Sequence, residues 1–328
     1  MKPIGKIVGC PSDPRSFKTS PRIVDNSTFI GVEIELENVG NFGSSYFRDS
    51  SFWSIVGEGS LRNSGREYVM QVKLKHEYVP ICGKDVVTAL DFFDSVVKKY
   101  IDNEGITPKA TDRTSIHIHI DVRDLSKEQL VSFIILYTIF EPVFYSLFGK
   151  GRENNPYCKP ISTEECLIRI SEIIGSDSER EIGHALSKGN KYDACNILSI
   201  CERGSLEFRL HEGTYDSELI LNWINLLLIL KDHACKEQFD ISNLPEQASQ
   251  LGMSDFLKLV FGKYTDNILE NAVEADILRG IRVAQDMLIY SGLEDSSKKY
   301  NTSSNGKRAG EDSVLHGFAK ANKRSVYL

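Results

Sequence analysis

The sequence of 328 residues lacks most of the features that announce a function at once. Its seven cysteines, at positions 10, 82, 158, 166, 195, 201 and 235, are odd in number, form no CxxC pair and have no zinc-like spacing. This excludes the usual disulfide framework and structural zinc site and fits a reducing compartment, so a cytoplasmic protein is expected. The first residues, MKPIGKIVGCPSDPRSF, have no apolar core of the signal-peptide kind, and no run approaches the ~20 apolar residues of a bilayer span, so no membrane partner is expected. GxxxxGK[ST], GxGxxG after a strand, GxSxG and HExxH are all absent. P-loop, Rossmann, α/β-hydrolase and zincin readings lose their support, and any nucleotide is held in another way. Positive charge is also scarce. The net charge is −7, which repels phosphate backbones and makes a nucleic-acid partner unlikely.

What is present describes a folding chain. Hydrophobic residues make up 41% and charged residues 26%, far from the composition of disorder. The length fits one large domain with additions, or two. Residues 1–27 lack periodicity and read as an arm laid over the surface or left mobile. Residues 293–328 carry seven Lys/Arg against four Asp/Glu, a local charge of +3 that leaves −10 for the rest, and read as a flexible tail. Between them, 28–292 should form the folded unit. Strand patterns occupy 29–37, 51–57, 66–74, 115–122, 192–200 and 204–211. Helical spacing fits 84–102, 126–148, 216–236 and 252–291, the last broken near Gly262, with weaker patterns over 162–188. Six strands and segregated helices predict an α+β fold, with helices covering one face of a mostly antiparallel sheet.

Three of these strands share one layout. In Gly31-Val32-Glu33-Ile34-Glu35-Leu36-Glu37 the two-residue period puts Glu33, Glu35 and Glu37 on one face and the aliphatic residues on the other. Carboxylates so crowded raise one another's pKa or require a cation, and Mg²⁺ is the usual hard ion for oxygen ligands. In Ser115-Ile116-His117-Ile118-His119-Ile120-Asp121 two imidazoles share a face, a common metal-ligand spacing that also suits phosphate binding or proton transfer. In Ser205-Leu206-Glu207-Phe208-Arg209-Leu210-His211, Glu207 can bind a cation while Arg209 offers a planar fork to a carboxylate or phosphate. Each strand alone also has an ordinary reading: an acidic edge facing water, half-exposed histidines, a surface ion pair. Together they predict one sheet with one polar hollow, suited to a metal-bound polyphosphate meeting an anionic substrate. Glu58, in a Gly-rich turn, and Glu67, at the start of the next strand, could lie near the first strip. Arg152, Asn155, Tyr157 and Cys158 follow a long helix in a loop able to close over a ligand.

The order of these motifs resembles the amidoligase family, which has the glutamine synthetase-like carboxylate–amine ligase fold. The resemblance rests on Gly-Val-Glu-Ile-Glu (31–35), Trp53 leading to Glu58-Gly59-Ser60-Leu61, Arg66-Glu67-Tyr68-Val69, His117-Ile118-His119, Arg152 with Asn155 and Tyr157-Cys158, Tyr192 with Asn196, and Glu207-Phe208-Arg209, and it covers roughly residues 28–230. It implies a curved antiparallel sheet and an ATP- and Mg²⁺-dependent enzyme that joins a carboxylate to an amine in the cytoplasm of a bacterium or a phage-infected host. It also implies metal binding by Glu33, Glu35, Glu67, His117 and Glu207, ATP binding by Arg209, His117 and Glu207, and catalytic roles for Arg209, Arg152, His119 and Glu58. Glu58 departs from the family's usual Asp before Gly-Ser-Leu.

The chemistry suits such a site. A carboxylate resists attack by an amine until it is activated, and phosphoryl transfer from ATP makes an acyl phosphate, with metal and Arg neutralising the gathered charge. A carboxylate or one of His117 and His119 could then take the amine's proton. Two alternatives remain at this level: a metal-dependent hydrolase using the same Glu/His cluster, and a non-catalytic ligand-binding protein on this fold. The substrates, a small-molecule or peptide carboxylate and an amine, have no further signature, and neither has the oligomeric state.

Overall fold

Alternating apolar residues along β1 (Ile30–Leu36) have to be buried on one side only, and a sheet with a helical layer behind it achieves this. The computed structural model describes residues 1–10, 17–74, 77–149, 151–236, 244–269 and 272–292; the expected tail, 293–328, lies outside them. Along the chain β1 is followed by β2 (Trp53–Val56), β3 (Arg66–Met70), β4 (Val72–Leu74), β5 (Glu77–Val79), β6 (Ile116–Asp121), β7 (Cys195–Asn196) and β8 (Ser205–Phe208). Six of them form one sheet in the order β2-β3-β1-β6-β8-β7, and every neighbouring pair is antiparallel. The fold is α+β, as expected.

The helices are α1 (Ile4–Ile7), α2 (Lys84–Glu104), α3 (Lys127–Phe148), α4 (Glu164–Gly175), α5 (Glu179–Ser187), α6 (Leu198–Arg203), α7 (Ser217–Ala234), α8 (Leu244–Leu251), α9 (Met253–Phe261), α10 (Asp266–Leu269) and α11 (Glu274–Tyr290). Val32, Ile34, Ile118, Leu206 and Phe208 turn to the helical side and are fully buried. Under β2 and β3 the core is aromatic: Trp53 and Tyr68 pack on Phe93 of α2. Under β8, Phe208 meets Phe133 and Tyr137 of α3. The N-terminal arm is tied down, with Ile4 buried and its N–H donating to Leu125 O at 2.9 Å.

Three expectations need correction. The expected strand 192–200 is a strand only at Cys195–Asn196 and turns into α6, with Asn196 Oδ1 accepting the Leu198 N–H at 2.9 Å in the turn between them. The expected strand 66–74 breaks at Gln71, whose N–H donates to Phe52 O, and β4 pairs with β5 instead of continuing the sheet. Helix α3 does meet the length and apolarity of a membrane span, contrary to the expectation that no run does so. It is apolar all round because it is enclosed on every side, between the sheet, α7 and α11.

Within α3, Glu141 is buried, and its Oε2 accepts the Ile161 N–H at 2.8 Å. Burial pushes this carboxyl up to about 8. Between its ordinary value and 8 the folded protein keeps a proton that the unfolded chain has released, so stability falls as pH rises through that window. Glu141→Gln should therefore melt close to wild type at pH 5 and clearly higher at pH 8. Parallel melting curves at both values would contradict this account.

Candidate active site

Antiparallel partners point to the same face of a sheet, and here the register lines up the polar residues. Glu33 lies opposite His117, His119 opposite Glu207, Glu207 opposite Asn196, and Glu35 opposite Glu67. The row runs across β3, β1, β6, β8 and β7 and floors a cleft of about 980 Å³, lined by Glu33, Glu67, His117, Arg203, Glu207 and Arg209 among others.

The centre of the row is fixed by a relay. Ser115 donates both its N–H (2.8 Å) and its hydroxyl (2.6 Å) to Glu35 Oε2. The hydroxyl has one proton, so it accepts from His117 Nε2 at 2.7 Å. His117 Nδ1 is thereby turned toward Glu33 Oε2 at 2.9 Å and Glu207 Oε1 at 3.7 Å. Arg209 Nη1 also approaches this nitrogen, at 3.4 Å, so Nδ1 sits among two carboxylates and a guanidinium. His119 repeats the pattern. Its Nδ1 faces the hydroxyls of Ser205 (3.1 Å) and Ser199 (3.3 Å), and its Nε2 lies 3.3 Å from Glu33 Oε1. Gly31 sits under this ring: a Cβ there would lie 3.3 Å from His119 Cβ, closer than ordinary packing.

Two compact groups result, Glu33 with Glu67 and His117, and Glu33 with His119 and Glu207; within each, one donor atom per residue lies within 4.8 Å of the others. Carboxylate oxygens with imidazole nitrogen fit a hard or intermediate divalent ion such as Mg²⁺ or Mn²⁺.

The electrostatics agree. Burial works to raise the Glu33 carboxyl, but hydrogen bonds to His117 and His119 outweigh it and hold the group well below the usual carboxylate range. Glu207 is likewise buried, and is lowered on balance by His119, Arg209 and His117. Glu67 goes the other way: burial and the neighbouring charges of Glu33 and Glu35 push it up to about 8. A carboxyl held neutral by adjacent carboxylates marks a surplus of negative charge that a divalent ion would relieve.

Arg209 lies just beyond β8, where its N–H donates to Ala194 O at 2.9 Å. Its guanidinium pairs with Glu207 Oε1, while Asn196 Nδ2 donates to Glu207 Oε2 at 2.6 Å. The other expected residues are placed differently. Arg152 lines the cleft but is buried, its Nη1 donating to Thr114 O at 2.9 Å. Glu58 stands in the wall with Oε1 accepting the Ser60 N–H. Glu35 is buried against Ser115 and is in neither compact group, so the structure makes it a support for His117. Glu37 accepts the Arg62 N–H, away from the histidines. Cys158 is buried, with its thiol pushed up by burial and its Sγ 3.3 Å from the Tyr145 hydroxyl, which does not suit a nucleophile.

Among the residues of the cleft that were not anticipated are Ser115, Arg113 and Arg203. Ser115 has the same strand parity as His117 and His119, so the two-residue period could have revealed it. Arg203 had no such signal, since it rides on the helix that replaced an expected strand.

A cleft built of carboxylates, imidazoles and guanidinium groups narrows the choice of relatives. Residues 93–230 match the family described as putative amidoligase enzyme. No curated protein matches the chain. The amidoligase match supports a ligase-like enzyme in general, and it runs from within α2 to within α7. It includes His117, His119, Arg152, Glu207 and Arg209, whereas Glu33, Glu35, Glu58 and Glu67 lie before it. Each compact group therefore joins residues of the matched segment to Glu33 from the sheet's first strand.

Proposed function

We propose that the protein is an ATP- and Mg²⁺-dependent ligase that joins a carboxylate to an amine through an acyl phosphate. The observation that supports this most is the convergence of the two Glu/His groups and Arg209 at one cleft, to which the segment matching the amidoligase family contributes His117, His119, Glu207 and Arg209. The glutamine synthetase-like arrangement belongs to the same reading. Glu33, Glu67, His117, His119 and Glu207 would hold the metal; once bound, it would neutralise the polyphosphate and align its terminal group.

The substrate carboxylate attacks the terminal phosphorus of ATP, ADP leaves, and the amine then displaces phosphate from the acyl carbon. Arg209 would bind the anion that gathers charge in both steps: Glu207 fixes its orientation from one side, and the Glu207 charge outweighs the burial that opposes its own. Ser115 keeps His117 in one tautomer with Nδ1 toward the cleft. Arg152, anchored to Thr114 O, would lend positive potential from the loop. Glu58, in the wall, is the group assigned to take the amine's proton.

Release of ADP by the full chain, measured with Mg²⁺ and ATP against pools of acids and amines, tests this function. ADP formed only when an acid, an amine and Mg²⁺ are all present is the expected result. Bond cleavage without ATP would identify a hydrolase, and metal binding without any product a non-catalytic protein.

A further inference from the structure

Arg203 ends α6, and the chain turns directly into β8 through Gly204, which is left-handed at φ 75°. The turn is close-packed, since a Cβ on Gly204 would lie 2.4 Å from the Arg123 side chain. It delivers the Arg203 side chain to the cleft, where Nη1 lies 3.3 Å from His119 Nε2 and 3.5 Å from Glu33 Oε1. Both residues belong to the group formed by Glu33, His119 and Glu207. A guanidinium keeps its charge in a protein and donates only. It therefore occupies the approach that a divalent ion bound by His119 and Glu33 would need, and the two positive charges exclude each other.

Arg203 is not locked in place. Its side chain is 54% exposed, so the ion pair with Glu33 is weak and the long stem can swing at little cost. Once displaced it remains at the cleft, with its donors free for any anion drawn to the cation.

We propose that Arg203 is a cation-gated anion clamp: it holds Glu33 and His119 until a divalent cation takes its place, and then turns to the polyphosphate of the incoming substrate. The proposal deepens the ligase reading and rests on it for the identity of the anion. Cation binding and anion binding thereby become ordered, with the metal first and the phosphate clamped second.

Titration of the full-length protein with Mn²⁺, followed by the loss of free Mn²⁺ signal in electron paramagnetic resonance, tests the first half. Arg203→Gln should bind Mn²⁺ roughly fivefold more tightly than wild type, because an exposed ion pair no longer competes. Inorganic tripolyphosphate added in saturating Mn²⁺ tests the second half, and here the same variant should bind about tenfold more weakly. Arg203→Lys, which keeps the charge without the fork, should restore wild-type Mn²⁺ affinity. A variant that merely disturbs the site would weaken both ligands. Unchanged or weaker Mn²⁺ binding by Arg203→Gln, or unchanged tripolyphosphate binding, would overturn the clamp. Failure of the ligase reading would show separately, as absence of ADP release by the wild-type protein, which neither titration measures.

Discussion

Glu33→Gln is expected to lower ADP release by at least about a hundredfold while the protein still folds. Glu33 is the residue the two Glu/His groups have in common: Oε2 faces His117 and Oε1 faces His119. Removing its charge damages both groups at once, whereas removal of any other member spares one. The fold should survive because the apolar side of β1, where Val32 and Ile34 are fully buried, is untouched. Mn²⁺ affinity and turnover should fall together, with the thermal transition remaining cooperative. Normal Mn²⁺ binding by this variant would show that the cation, if any, sits elsewhere.

Arg209→Lys should cost roughly a hundredfold in turnover despite conserving the charge. The guanidinium has to meet Glu207 and still offer donors to the substrate. A lysine ammonium that pairs with Glu207 presents a point charge without the planar fork. Because Glu207 keeps its Asn196 partner and its place in the second group, Mn²⁺ binding should change little. The split between lost turnover and retained metal affinity separates a role on the anion from a role in building the site. Near-normal kinetics would remove Arg209 from the mechanism.

Much of the site was legible because strands convert sequence parity into spatial sides. Glu33, His117 and Glu207 are far apart in the chain, yet each alternates with aliphatic residues. Burying those residues on one helical layer forces the polar ones onto the opposite face. The same rule accounts for Glu67, which lies opposite Glu35. Parity says which face a side chain takes but not what it touches there. Parity alone did not show that Glu35 Oε2 accepts two hydrogen bonds from Ser115. Asp121 shares the histidine face yet is taken by Arg123.

Other features depended on contacts that local pattern does not encode. The apolar run around Ile197 and Ile200 fits a strand or a short buried helix equally well, and the chain leaves the sheet at an Asn196 side-chain turn onto the Leu198 N–H. That decision also moved Arg203 into the cleft. The apolarity of α3 reflects enclosure by elements that follow it in the chain, α7 and α11, which no window on the helix itself can report.

The central claim is that His117 and His119 flank a divalent cation together with the glutamates of the same face. Paramagnetic broadening of the histidine ring resonances during a Mn²⁺ titration reads this directly, since the chain has seven histidines and the described ones differ in partners and exposure. Selective loss of the His117 and His119 signals at the lowest Mn²⁺ additions is the expected result. Broadening that begins at other histidines, or none at either of these two, would contradict it.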